Sequence, residues 1–128
     1  MKIVLAHGVF DLLHHGQVQH LRIARGFGDR LVVSVVADKF CSKRTPIYDQ
    51  ETRMDMLKEM RCVDQVMLCN APGPQDIIES LRPDVYVRGG DYVGKRMPEH
   101  DLLDKLCIPV GYTKSFPYRT TELIERFK

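Results

Sequence analysis

The sequence is short of the features that would carry it out of an ordinary soluble globule. It has no apolar run of the roughly 18 residues a membrane span needs and no secretory leader, so neither insertion nor export is expected. It has no Lys/Arg block, and the 19 basic and 17 acidic residues leave a formal charge of only +2, too little to argue for nucleic acid. Its 4 cysteines, Cys41, Cys62, Cys69 and Cys107, show no C-x-x-C spacing and lie in or beside apolar stretches. Reduced thiols and a cytoplasmic location are the expectation, rather than a disulfide scaffold or a zinc site. Internal repeats, low-complexity tracts and linkers are also missing. What remains is a single domain of 128 residues with 44% hydrophobic and 28% charged content, large enough to bury a core unaided.

Apolar strand-like and helix-like segments alternate along it. Ile3 to Ala6 is a short buried strand, and Gln17 to Phe27 has helical periodicity, with Val18, Leu21 and Ala24 on one face and Gly28 as its breaker. Leu31 to Val36 is β-branched and continuously apolar, as a strand covered on both faces should be. Asp38 to Tyr48 is polar and reads as a surface loop. Asp49 is a candidate N-cap for a helix to about Met60, with Met54, Leu57 and Met60 inward. Gln65 to Cys69 is a third strand, followed by the Pro72-Gly73-Pro74 turn and a short helix burying Ile77, Ile78 and Leu81. Asp84 to Arg88, a helix around Asp101 to Leu106, a strand near Ile108 to Tyr112 and a terminal helix from Thr120 (Leu123, Ile124 and Phe127 on one side) complete the pattern. Alternating β and α predicts an α/β, Rossmann-like three-layer sandwich with a five-stranded parallel sheet and right-handed crossovers.

Ligands in such sheets bind beyond the carboxyl ends of the strands, where strand order reverses. Three loops follow strands and should meet on that edge: Gly8 to Gln17, Arg88 to Lys95, and Lys114 to Thr121. The first is the most informative. A strand, a glycine-containing turn and a helix start together form an anion site, because the first helical N–H groups lack intrahelical partners and the dipole is positive there. Gly8 and Gly16 let backbone approach a phosphate closely, and His14 and His15 sit where a polyphosphate would lie. The plainer alternative for His14 is a satisfied turn histidine beside a helix cap.

Gly8-Val9-Phe10-Asp11, His14 and Gly16 resemble, in register, the G-[TV]-F-D-x-x-H-x-G-H motif of the cytidylyltransferase-like nucleotidyltransferases. Gln17 stands where the motif has its second histidine. Arg88-Gly89-Gly90-Asp91-Tyr92 is similar to the K-G-G-D-Y segment of members acting on heptose phosphates, against the G-D-D-W form of those acting on glycerol phosphate; read without the resemblance, it is an ordinary strand-to-loop turn. Lys114 to Thr121 matches in length the R-T-E-G-I-S-T-T segment, with Thr120 and Thr121 identical, Lys114 for its arginine and Arg119 for its serine; Thr120 is otherwise a simple N-cap. Lys43 and Arg44 fall near the lysines that the family uses on phosphate oxygens, a solvated loop being the alternative. Arg53 matches an arginine that braces that loop.

The resemblance implies transfer of a nucleoside monophosphate from ATP or CTP to a sugar phosphate or polyol phosphate, with Mg²⁺ on the nucleotide, pyrophosphate released, and a homodimer as in relatives. His14, Gln17, Lys43 and Arg44 would be catalytic. Gly8, Val9, Phe10, Gly16, Arg88, Gly89, Gly90, Asp91, Lys114, Arg119, Thr120 and Thr121 would line the nucleotide; Asp11, Lys43 and Tyr92 would meet the second substrate. No metal ligand is expected from the protein: a site from His14, His15 and His20 finds no further donor nearby in sequence, and His15 and His20 read as surface residues. A glutamine amide can donate but cannot become cationic. Gln17 therefore leaves three readings open: a slower enzyme, an engineered inactive variant, or a nucleotide-binding regulatory module of the same fold.

Overall fold

The computed structural model describes residues 1–42 and 44–114; Lys43, Arg119, Thr120, Thr121 and the expected terminal helix lie outside the described residues. Among the described residues five strands and four helices alternate: β1 Ile3–Gly8, α1 His15–Arg25, β2 Arg30–Val36, α2 Gln50–Lys58, β3 Gln65–Cys69, α3 Gln75–Leu81, β4 Val85–Arg88, α4 His100–Lys105 and β5 Val110–Tyr112, with 3₁₀ turns at Asp38–Phe40 and Gly90–Tyr92.

The strands are all parallel, in the order β3-β2-β1-β4-β5. The α/β, Rossmann-like expectation therefore holds, with β1 central and strand order reversing beside it. Period-two alternation divides the apolar residues between two cores. Val4 and Ala6 join Leu31, Val33, Val35, Val85 and Val87 under Leu21, Ala24 and Leu57 from α1 and α2. Leu5, Val32 and Tyr86 face the other way, onto Ile77 and Ile78 of α3 and Leu103 of α4. Both faces are covered, which is why the strands read as unbroken apolar runs.

Helix ends follow local chemistry. Asp49 caps α2 as expected, its carboxylate accepting from Thr52 N–H at 2.9 Å. Leu57 of α2 is buried, and Met54 packs partly buried against the same core with Met60, which lies two residues beyond the helix end at Lys58 rather than inside it as expected. After α1 the chain turns at Gly28, where a Cβ would meet the Lys2 carbonyl oxygen at 2.7 Å. No larger residue fits there without moving β1.

Arg53 of α2 lies inside the protein, 0% exposed. Its Nε donates to Tyr48 O at 3.0 Å, its Nη1 to Val9 O at 2.8 Å and Val36 O at 2.9 Å, and its Nη2 to Asp38 Oδ1 at 2.6 Å. A buried guanidinium is tolerable only when its donors are satisfied in this way. It pins the loop after β1, the end of β2 and the entry to α2 to one another, which is the bracing expected of it.

Candidate active site

The ends of β1, β4 and β5 are neighbours on one edge of the sheet, beside the point where strand order reverses. Phe10 enters that edge with φ 52°, left-handed backbone that a non-glycine residue adopts only where its surroundings insist on it. The gain is burial: the ring, 6% exposed, joins the core under α1 and lies over Gly8, where a Cβ would meet it at 3.1 Å. Turned back in this way, the chain reaches His14 as the N-cap of α1.

His14 Nδ1 accepts the Gly16 N–H at 3.1 Å. That bond fixes the tautomer, since a neutral ring accepting at Nδ1 carries its proton on Nε2. Burial, with the charge of His15 behind it, lowers the His14 pKa from its ordinary value, so the ring is neutral near pH 7 and offers an Nε2–H donor. His15 is exposed. Gly16 is buried at the start of α1. Gln17 is half-buried, and its Oε1 is buried without a hydrogen-bond partner among the described residues.

Asp11, 2% exposed, is committed within the protein. Oδ2 accepts from Arg44 Nη1 at 2.6 Å and from Ile47 N–H at 2.9 Å, and Oδ1 accepts from Tyr48 N–H at 3.0 Å. Burial works to raise its pKa, but the N–H groups of Tyr48 and Ile47 and the Arg44 guanidinium outweigh it and hold the carboxyl below its usual value. Asp11 and Arg44, expected to work separately, are thus one ion pair folding the loop before α2 onto the motif.

Arg88 is 8% exposed. Its Nη1 donates to His7 O at 3.1 Å and to the Tyr86 hydroxyl at 3.4 Å, and its guanidinium lies 4.1 Å from the centroid of the Tyr92 ring. Its Nε is buried without a partner among the described residues. Tyr92 N–H closes the Gly89–Tyr92 turn by donating to Gly89 O at 3.0 Å; Gly89 and Gly90 are half-buried there and Asp91 is exposed. Lys114, exposed, follows Thr113, whose N–H donates to Arg88 O at 3.1 Å.

Beneath this edge runs a polar layer that the sequence reading missed. His7 Nδ1 and Ser34 Oγ share a hydrogen bond of 2.7 Å, and the Tyr86 hydroxyl donates to Glu99 Oε2 at 2.7 Å. His20 is a correction. It was expected at the surface, yet it is half-buried and its Nδ1 is 2.7 Å from Thr113 Oγ1, tying α1 to the end of β5. Burial, aided by the positive charge of Arg88, lowers the pKa of both His7 and His20 to about 4. The sequence does carry one signal for the first pair. His7 and Ser34 each interrupt an apolar strand, and they face each other in the β1–β2 register.

Among the described residues no three His, Cys, Asp or Glu side chains are grouped to hold a metal ion. The donor set on this edge is N–H groups, an imidazole and guanidinium groups, which suits phosphate oxygens rather than a cation.

Comparison with known proteins bears on the family and the fold. Residues 5–126 match the family described as cytidylyltransferase-like. The bifunctional protein HldE of Aliarcobacter butzleri is 38% identical over 82% of this chain and 23% of its own length. That of Koribacter versatilis is 36% identical over 98% of this chain and 27% of its own. The chain thus spans about a quarter of the curated relatives it matches. A crystal structure of a lipopolysaccharide core biosynthesis protein from Thermoplasma volcanium superposes with a TM-score of 0.75 at 30% identity, covering 93% of this chain and 99% of that one. Pantothenate synthetase from Thermus thermophilus shares the fold, at TM-score 0.60 and 16% identity over 95% of this chain and 58% of its own.

Proposed function

The chain belongs to the cytidylyltransferase-like family of nucleotidyltransferases, and from that premise we propose that it transfers a nucleoside monophosphate from ATP or CTP to a phosphorylated sugar or polyol. An oxygen of the acceptor's phosphate forms a bond to the α-phosphorus, the α–β phosphoanhydride bond breaks, and pyrophosphate leaves with the bonding electrons. The nucleophile is already ionised at neutral pH, so the protein's work is alignment and charge stabilisation.

The observation that carries this reading is the His14 cap. Its Nδ1 holds the first turn of α1 while its Nε2–H is the donor for phosphate oxygens, so one imidazole shapes the anion site and serves it. Gly8 and Gly16 admit the phosphates, and Val9 and Phe10 form the floor of the loop. Gly89, Gly90 and Asp91 on the neighbouring loop take the base and ribose, with Arg88 and Tyr92 stiffening that loop. Lys43, Lys114, Arg119, Thr120 and Thr121 supply charge and hydroxyls from the remaining loops, and Arg44 adds its charge from beside Asp11. Mg²⁺ travels on the triphosphate and neutralises part of its charge. The similarity to a protein of lipopolysaccharide core biosynthesis and the Gly-Gly-Asp-Tyr form of the second loop both lean towards a phosphosugar acceptor.

A second reading rests on Gln17. Its Oε1, buried without a partner among the described residues, is an acceptor where the family motif has a histidine donor, which favours an impaired binding or regulatory module. Pyrophosphate release measured with each of the common triphosphates across a panel of sugar and polyol phosphates separates the two. Turnover with any pair supports the transferase. Thermal stabilisation by a triphosphate with Mg²⁺ but no release with any acceptor supports the module.

A further inference from the structure

Arg88 and Glu99 stand at the two ends of the loop that carries Gly89, Gly90, Asp91 and Tyr92, and one hydroxyl joins them. Arg88 Nη1 donates to the Tyr86 hydroxyl at 3.4 Å, and that hydroxyl donates to Glu99 Oε2 at 2.7 Å. All three side chains are buried. The junction follows from local geometry. Tyr86 and Arg88 lie two residues apart on β4 and so face the same side of the sheet. Tyr86 packs there with Leu103 of α4. Leu103 N–H donates to Glu99 O at 3.0 Å, one helical turn, so burying Leu103 on the sheet brings Glu99 to the hydroxyl.

A charge of each sign is thus held almost out of water with a phenol between them. Burial raises the Tyr86 pKa, against the pull of Arg88 and with the push of Glu99. The phenol therefore keeps its proton, and it can accept from the guanidinium while donating to the carboxylate. Bonds linked in this way polarise one another in a low-dielectric interior, and either charge would be costly to leave without the other.

The same guanidinium reaches the candidate site. It lies 4.1 Å from the centroid of the Tyr92 ring, a cation–π contact within the loop. Its Nη1 also donates to His7 O at 3.1 Å, one residue before Gly8 of the motif. Two site loops therefore take their places from one buried cation. The turn bonds from Tyr92 N–H to Gly89 O, Val93 N–H to Gly90 O and Lys95 N–H to Tyr92 O are internal to the loop. They shape it without fixing where it stands on the sheet.

We propose that Glu99 is a positioning residue for the nucleotide: through the Tyr86 hydroxyl it holds the Arg88 guanidinium against Tyr92, and so keeps the turn at 89–92 in the form that receives base and ribose. Glu99 itself touches no substrate. The inference rests on the nucleotide site of the transferase reading and adds what makes that site ready beforehand. A loop already in its bound form avoids the ordering cost of binding.

The test is triphosphate affinity, measured by calorimetry with Mg²⁺ for wild type, Tyr86→Phe, Glu99→Ala, Glu99→Gln and Ile78→Val, together with acceptor KM. Ile78 packs in the same core outside the hydrogen-bonded chain and controls for a general loss of stability. The expected result is a triphosphate Kd raised about fivefold in Tyr86→Phe and Glu99→Ala, roughly the net worth of one hydrogen bond. Acceptor KM should stay within about twofold of wild type, since only one substrate loses its binding surface. Glu99→Gln, whose amide oxygen still accepts from the Tyr86 hydroxyl, should recover most of the affinity, and Ile78→Val should lose none. Should Glu99→Ala fail to fold, Tyr86→Phe and Glu99→Gln, both close in shape to the native residues, carry the comparison. A triphosphate Kd unchanged in Tyr86→Phe, or raised equally in Ile78→Val, overturns the positioning role and leaves the transferase standing. A wild type that binds triphosphate but releases no pyrophosphate overturns the transferase, while the Kd comparison still decides the role of Glu99. A wild type that binds no triphosphate overturns both.

Discussion

The Arg53 guanidinium holds the Val9 carbonyl at 2.8 Å, so the loop after β1 is shaped by a fully buried residue of α2. Replacing Arg53 with methionine keeps much of the volume but leaves three carbonyls without their donor, while the Asp38 carboxylate, 42% exposed, can turn to water. We expect a loss of ~1–3 kcal/mol, the cost of leaving buried acceptors unsatisfied, read from the urea midpoint at constant m-value. A loss below about 1 kcal/mol, the ordinary net worth of a single hydrogen bond, would mean that those carbonyls find water and that the clamp is dispensable.

His14 has two duties that substitution can separate. His14→Ala removes the cap and the donor, and should cost ~0.5–2 kcal/mol of stability and at least ~10²-fold in turnover. His14→Asn keeps a good capping acceptor, so it should recover most of the stability while staying slow. His15→Ala should change neither. If asparagine restored turnover as well, the imidazole would matter only as a cap.

The buried histidines make stability depend on pH. His7 and His20 titrate near 6.5 when unfolded and at about 4 when folded. Between those values the unfolded chain binds more protons, so stability is fully present above pH 6.5 and drains away as pH falls towards 4. Melting temperatures measured from pH 7 to 4 should fall, and His20→Gln should flatten the slope, because its amide can still meet Thr113 without titrating. An unchanged slope in both His20→Gln and His7→Gln would assign the acid sensitivity to other groups.

Gln17→His should raise kcat more than it lowers the triphosphate KM, because a cationic donor gains strength as charge develops on the departing phosphates. A tenfold gain corresponds to only ~1.4 kcal/mol. A slower Gln17→His variant would make the glutamine a working part of the site, its buried Oε1 being the acceptor for a ligand hydroxyl or amine.

Much of this was legible in the sequence because the physics concerned is local. Apolar runs of strand length, Asp49 as a cap, Pro72-Gly73-Pro74 as a turn and the Gly8 to Gln17 motif declare themselves within ten residues. Pairing between strands does not. Nothing in Val85 to Arg88 says that it lies against β1 rather than β3, so the contact of Arg88 with His7, 81 residues away, was hidden, and with it the inward commitment of that guanidinium. His20 was misplaced for the same reason. It reads as a surface residue along α1, and its partner, Thr113, follows β5.

The strand order has a consequence for how the molecule is made. A ribosome delivers β1, β2 and β3 first, and these three are neighbours in the finished sheet, so a nascent chain can zip them together with α1 and α2 before the rest has emerged. Such a half-finished sheet would already display the His14 turn, with the β4 side of β1 bare. That open flank is a template for the wrong strand, including one from a second nascent copy. The protein's exposure to misassembly is therefore concentrated in the interval between the synthesis of Cys69 and that of Arg88.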